Sequence, residues 1–149
     1  MLVGHSGSGK SSLVEALLAA TGTVQRPGSI EEGTTVSDFD EVEVRQQRSV
    51  NLTLAPVVHN GIKVNLLDTP GFLDFVGQVQ SGLTAADGAL VVSSPSPQLA
   101  VGTEVAWQQL NRDQKPRLVV VNKMDKENAD YYGALDAMRA QLNPRPVAL

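Results

Sequence analysis

Apolar positions along this chain fall into short runs separated by stretches of helical spacing, an alternation that predicts a sheet of mainly parallel strands with crossover helices. Leu13, Val14, Leu17 and Leu18 recur at helical intervals between Ser11 and Thr21, with Gly22 as the stop. Residues 23 to 48 keep no period, and Pro27-Gly28, Gly33 and the mixed charges from Asp38 to Arg48 mark a long loop. A loop of that length in a compact domain is usually functional or moving. Val50, Leu52 and Leu54 then alternate with polar residues up to Pro56, and Asn60-Gly61 leads into Ile62 to Leu67. This is a hairpin signal, with Pro56 confining its strand to a sheet edge.

Val76, Val79, Leu83 and Ala86 predict a second helix, Ala89 to Val92 a strand, and Thr103 to Leu110 a third helix. Leu118 to Val121 is wholly apolar and is predicted to be a buried strand. A last helix is predicted from Tyr131 to Leu142, and Pro146 to Leu149 reads as a strand just starting. Met1-Leu2-Val3 is shorter than the roughly five residues of an interior strand. The expectation is a single α/β domain over residues 1–149, cut at both ends and part of a longer protein, with one antiparallel edge strand and helices on both faces.

Composition narrows the chemistry. Hydrophobic residues are 42% of the chain and charged residues 19%, enough apolar material for a core and too little charge for a disordered tail. Cysteine is absent and the two histidines, His5 and His59, are far apart, which excludes disulfides and thiolate or histidine-cluster metal sites. A bound metal must then be held by oxygen. The net charge of −4 lacks the electrostatic footprint for gripping DNA or RNA unaided. No apolar run reaches the roughly 18 residues of a membrane span, and no secretory signal opens the chain, so the expected place is the cytoplasm.

Three motifs carry candidate chemistry. Gly4-His5-Ser6-Gly7-Ser8-Gly9-Lys10-Ser11 matches the phosphate-binding loop and lies between a strand end and a helix start. Its small residues let backbone N–H groups and the positive helix end, continuing into Ser12, face phosphates, while Lys10 neutralises terminal charge. Ser11 can offer its hydroxyl to Mg²⁺. Asp68-Thr69-Pro70-Gly71 follows an apolar strand; Asp68 can hold Mg²⁺ through water, and the Gly71 N–H can sense a γ-phosphate. Alone, that tetrapeptide is also a good tight turn.

Asn122-Lys123-Met124-Asp125 follows the strand ending at Val121. A carboxylate at Asp125 can accept from guanine N1–H and the 2-amino group, whereas adenine would leave it unpaired. That loss costs about 1–3 kcal/mol or more, enough to select GTP over ATP. Lys123 can cover the base with its stem, and Asn122 can tie this loop to the phosphate loop. All three motifs fall at the carboxyl ends of predicted strands, where ligands of open α/β sheets bind. The last of them speaks against a small-molecule kinase built on the same phosphate loop.

With these motifs in place, the chain resembles the translational GTPases, most closely the G domain of elongation factor G and its paralogues. The likeness is carried by the phosphate loop, by residues 68–75 and 85–92, and by Pro116 to Asp125. It implies a P-loop NTPase of the Ras-like G-domain type within a five-domain factor. Such a factor binds GTP or GDP with Mg²⁺, docks on the ribosome and couples hydrolysis to translocation or recycling. In that setting Gly4 to Ser12, Asp68, Asn122, Lys123 and Asp125 bind nucleotide, and Lys10 and Gly71 serve the reaction. His5 keeps a structural part in the loop. The family's fifth guanine-contacting motif falls beyond Leu149.

Two departures stand out. The family's water-positioning histidine after Asp-Thr-Pro-Gly is Phe72 here, and a phenyl ring cannot orient water by hydrogen bonding. Loss of such a group costs about 10²–10⁴ in rate. Hydrolysis is then slow, giving a GTP-dependent ribosome-binding switch, or a ribosomal group organises the water. The family's Arg-Gly-Ile-Thr aligns with Arg48-Ser49-Val50-Asn51. Asn51 is the candidate cation ligand in place of the threonine, with Thr34 and Thr35 as substitutes. The acidic stretch Asp38 to Glu43 reads as solvated, and Trp107 as core or interface.

Overall fold

The computed structural model describes residues 1–37, 40–46, 49–71 and 76–148. The expectations placed on Arg48 and Phe72 fall outside them. The strands are β1 (Leu2–Val3), β2 (Thr53–His59), β3 (Ile62–Asp68), β4 (Ala89–Ser93) and β5 (Arg117–Val121). The helices are α1 (Lys10–Ala20), α2 (Glu41–Gln46), α3 (Val76–Ala85), α4 (Val101–Arg112) and α5 (Tyr131–Gln141).

The five strands form one sheet in the order β2-β3-β1-β4-β5, with β2 and β3 antiparallel and the other pairs parallel. This is the α/β architecture expected from the alternation of runs. Neighbouring strand residues point to opposite faces, and the core divides accordingly. Leu2 and Val92 pack with Val14 and Leu18 of α1 and with Ala55 and Val57 of β2. Val3 and Val91 pack on the other face with residues of α3, α4 and α5, including Leu83, Trp107, Leu110 and Met138. Trp107 is 4% exposed, and its indole N–H donates to the Asn143 carbonyl at 3.1 Å. Its core reading holds.

Four details differ from the sequence pattern. In β2 the buried residues are Thr53, Ala55 and Val57, while Leu54 faces solvent. The alternation was legible but its phase was not, because an edge hairpin carries apolar residues on both faces. β5 is the other outer strand, and Leu118 is 59% exposed; an apolar run reports β-propensity and does not by itself say which strand is central. Residues 145–148 form no strand. Pro144 and Pro146 lack the N–H groups a ladder requires.

The fourth difference is α2, inside the segment expected to be a loop. Asp40 accepts from the Val42 N–H at 2.9 Å, and Glu43 accepts from the Asp40 N–H at 3.3 Å. The two acids thus cap the helix reciprocally. Glu43 is fully buried, which corrects the solvated reading at that residue, while Asp40 and Glu41 are exposed as expected. Among the described residues, no helix is long and apolar enough to cross a membrane.

Candidate nucleotide-binding site

The phosphate loop runs from the end of β1 to the start of α1. It is closed by the Ser8 N–H on the His5 carbonyl at 3.2 Å, and the first helical bond is Leu13 N–H to Gly9 carbonyl at 2.9 Å. The amides of Lys10, Ser11 and Ser12 therefore have no acceptor within the helix. Gly9, the N-cap residue, has no side chain with which to cap the helix, and the first turn of α1 carries no acidic residue. Lys10 is buried and donates to the carbonyls of Gly4 and His5 at 3.0 and 3.1 Å. This bends its ammonium back over the loop.

Asp68 ends β3, 1% exposed, paired in register with Leu2 of β1 and Thr53 of β2. The next residue anchors the turn: Thr69 donates its hydroxyl to the Leu2 carbonyl at 2.7 Å. Gly71 is thereby laid over the phosphate loop. A Cβ at Gly71 would stand 2.5 Å from Lys10 Nζ and 2.6 Å from the Ser6 nitrogen, so no larger residue fits without displacing them.

The third motif reaches the same place from the far side of β4. The Asn122 N–H extends the β4–β5 pairing by donating to the Ser93 carbonyl at 2.8 Å. Its side-chain amide donates to the Ser8 carbonyl at 3.0 Å, and Lys123 Nζ donates to the Gly7 carbonyl at 2.6 Å. Lys123 adopts φ 60°, in the left-handed region, which turns the chain after β5 back across the loop. Gly9, at φ 93°, leaves the space: a Cβ there would overlap Asn122 Nδ2. Asp125 is exposed and lines an open groove with Ser94 to Pro97 and Lys126 to Asn128.

Several expected residues lie in ordinary local surroundings. His5 is exposed and packs on α4, where a Cβ at Gly102 would be 2.9 Å from its Nδ1. The Thr34 hydroxyl accepts from the Ser29 N–H at 2.9 Å, within a local turn. Asn51 gives its backbone N–H to Glu43 at 2.9 Å, and among the described residues of this segment it is Ser49 whose side chain reaches Ser11, with 3.1 Å between the two hydroxyl oxygens.

Two buried glutamates were not among the expected site residues. Glu15 of α1 accepts from Gly28 N–H at 2.8 Å and Val36 N–H at 2.6 Å, while Glu43 accepts from Val50 and Asn51 N–H at 2.9 Å each. Glutamate on a helix is ordinarily solvated; only the Asp40-x-x-Glu43 capping pattern offered a signal in advance.

The donor set suits a phosphate chain with a hard cation. It offers uncapped helix amides, a lysine, a hydroxyl at Ser11 and a carboxylate at Asp68. Among the described residues no group of three or more acidic, histidine or cysteine side chains could form a metal cage. A cation here would take further oxygens from ligand and water, as Mg²⁺ commonly does with phosphates.

Comparison with known proteins gives the same direction. A family model described as Elongation factor Tu GTP binding domain matches residues 1–145. An "Elongation factor G-like protein" of Mycobacterium tuberculosis is 52% identical over 137 residues, covering 92% of this chain and 19% of the relative. A crystal structure of a Thermus thermophilus protein superposes with a TM-score of 0.91 at 46% identity, over 96% of this chain and 22% of that one. Translation elongation factor SelB of Methanococcus maripaludis, solved with a GTP analogue, matches with a TM-score of 0.65. At 19% identity, over 91% of this chain and 24% of that one, it shares the fold. The chain thus spans about a fifth of the length of the curated relatives it matches.

Proposed function

Because the chain belongs to the elongation factor Tu GTP-binding domain family and is a G domain of the elongation factor G-like kind, we propose that it binds GTP with Mg²⁺ and hydrolyses it in concert with the ribosome. One observation carries the reading. The guanine-loop candidate is tethered to the phosphate loop by Asn122 on Ser8 and Lys123 on Gly7, so one mononucleotide can span both.

In this reading the amides from Ser6 to Ser12, apart from that of Ser8, which closes the loop on the His5 carbonyl, and the Lys10 ammonium receive the phosphates, and Asp125 receives the guanine edge. Ser11 and, through water, Asp68 would hold Mg²⁺, which would supply positive charge to offset that of the phosphates. Water attacks the γ-phosphorus in line, forming a P–O bond as the bond to the bridging oxygen breaks, and one of its protons passes to a phosphate oxygen, which leaves GDP and hydrogen phosphate. Lys10 stabilises the charge that develops, and the Gly71 N–H reads the γ-phosphate. The loops around residues 23–51 and 68–76, parts of which lie outside the described residues, would be ordered by GTP and released with GDP, signalling to the ribosome in the cytoplasm.

The test is nucleotide competition followed by single-turnover hydrolysis with and without ribosomes. Preference for GTP over ATP with ribosome-stimulated hydrolysis is expected. Near-background hydrolysis unchanged by ribosomes would favour a GTP-dependent docking switch, the outcome to which Phe72 points. Equal affinity for ATP and GTP would overturn the guanine assignment.

A further inference from the structure

The segment after α2 returns to the phosphate loop through Ser49, whose Oγ stands 3.1 Å from Ser11 Oγ. That contact is held from behind. Glu43, fully buried, accepts from the N–H groups of Val50 and Asn51 through Oε1 and from that of Asp40 through Oε2. Leu52 N–H adds a longer bond to Gln78 Oε1 at 3.4 Å. The three residues following Ser49 thus have their amides fixed by side chains of α2 and α3, which sets where the Ser49 hydroxyl can lie.

Two oxygens bound to one Mg²⁺ on adjacent corners of an octahedron, each 2.0–2.1 Å from the ion, lie about 2.9 Å apart. The Ser11 and Ser49 oxygens are already within a few tenths of an ångström of that spacing. Each hydroxyl has two lone pairs and one proton. Each can therefore give a lone pair to a cation while its proton turns to another acceptor. Resting on the nucleotide reading above, we infer that Ser49 supplies a second protein oxygen to the cation held by Ser11, and that Glu43 is the positioning residue that keeps it there. The sequence pattern sets Asn51 in this part. The hydroxyl brought to the site comes from two residues earlier in the chain.

The experiment titrates Mn²⁺ by electron paramagnetic resonance against the purified protein bound to a non-hydrolysable GTP analogue. Ser49→Ala is expected to weaken Mn²⁺ binding about tenfold, within the 10–100-fold typical of disturbed metal shells. Ser49→Thr keeps the hydroxyl and restores binding, while Asn51→Ala stays within twofold of the parent. Glu43→Gln is expected to weaken Mn²⁺ several-fold while nucleotide affinity in excess chelator is unchanged, a separation that general loss of structure would not produce. Parent-like Mn²⁺ affinity in Ser49→Ala, or loss in Asn51→Ala instead, overturns the assignment. Ser11→Ala separates the two failures. If it weakens Mn²⁺ and Ser49→Ala does not, only the Ser49 inference is lost; if neither does, the nucleotide–metal reading fails with it.

Discussion

The side-chain amide of Asn122 donates to the carbonyl of Ser8 at 3.0 Å across 114 residues of chain. This bond joins the end of β5 to the loop that precedes α1 and, in the proposed nucleotide reading, sets the distance between the base-side and phosphate-side halves of the site. Asn122→Ala removes the tie and leaves a partly buried carbonyl without that donor, a change worth about 1–3 kcal/mol. Nucleotide affinity is expected to fall by about one to two decades, measured by fluorescent-nucleotide titration. Parent-like affinity would show that the loops hold their spacing without it.

Asp125 projects into the groove beside Ser94 to Pro97. Replacing the carboxylate by an amide in Asp125→Asn exchanges an acceptor for a donor, which suits a 2-oxo group in place of the 2-amino group. The variant is expected to lose GTP and gain xanthosine triphosphate. Side-by-side competition with the two nucleotides reads the exchange, and an unaltered preference would remove Asp125 from the base site.

Gly71 lies so close to the phosphate loop that a methyl group would press on Lys10 Nζ and the Ser6 nitrogen. Gly71→Ala is therefore expected to push the turn after β3 off the loop. Affinity for a triphosphate analogue should fall at least tenfold while GDP binding changes little, since the proposed Gly71 contact is to the γ-phosphate. Equal losses for both nucleotides would point to general damage of the loop.

Glu15 holds the two ends of the 28–36 turn from inside α1. Glu15→Ala strands two backbone amides, each costing about 1–3 kcal/mol when left without an acceptor. The denaturant midpoint should drop accordingly, with faster amide exchange at Gly28 and Val36. Glu15→Gln keeps one acceptor oxygen and should lose less. If exchange rises evenly over the whole chain, Glu15 acts on global stability and holds no particular turn.

Much of this arrangement was legible in the residues. Lys10 at a helix start, Asp68 at a strand end and Asn122 just after a strand follow from local backbone chemistry, because glycines, apolar runs and capping residues act over a few positions. The Asp40-x-x-Glu43 spacing is a capping signal that the reading of this stretch as a solvated surface passed over. Whether Glu43 lies in water or in the interior depends on Val50 and Asn51 arriving beside it. No local rule carries that information.

By itself, then, the chain's order of residues determined the succession of strands and helices apart from α2 and the expected last strand, together with the three loops at the strand ends and the chemistry each loop can offer. The packed structure decided that β5 is the second edge strand, which glutamates are buried and that Ser49 lies beside Ser11. The physical reason is range. Backbone preference and turn chemistry are settled among near neighbours, whereas burial and side-chain partnership are settled by whichever distant segments the common core draws together.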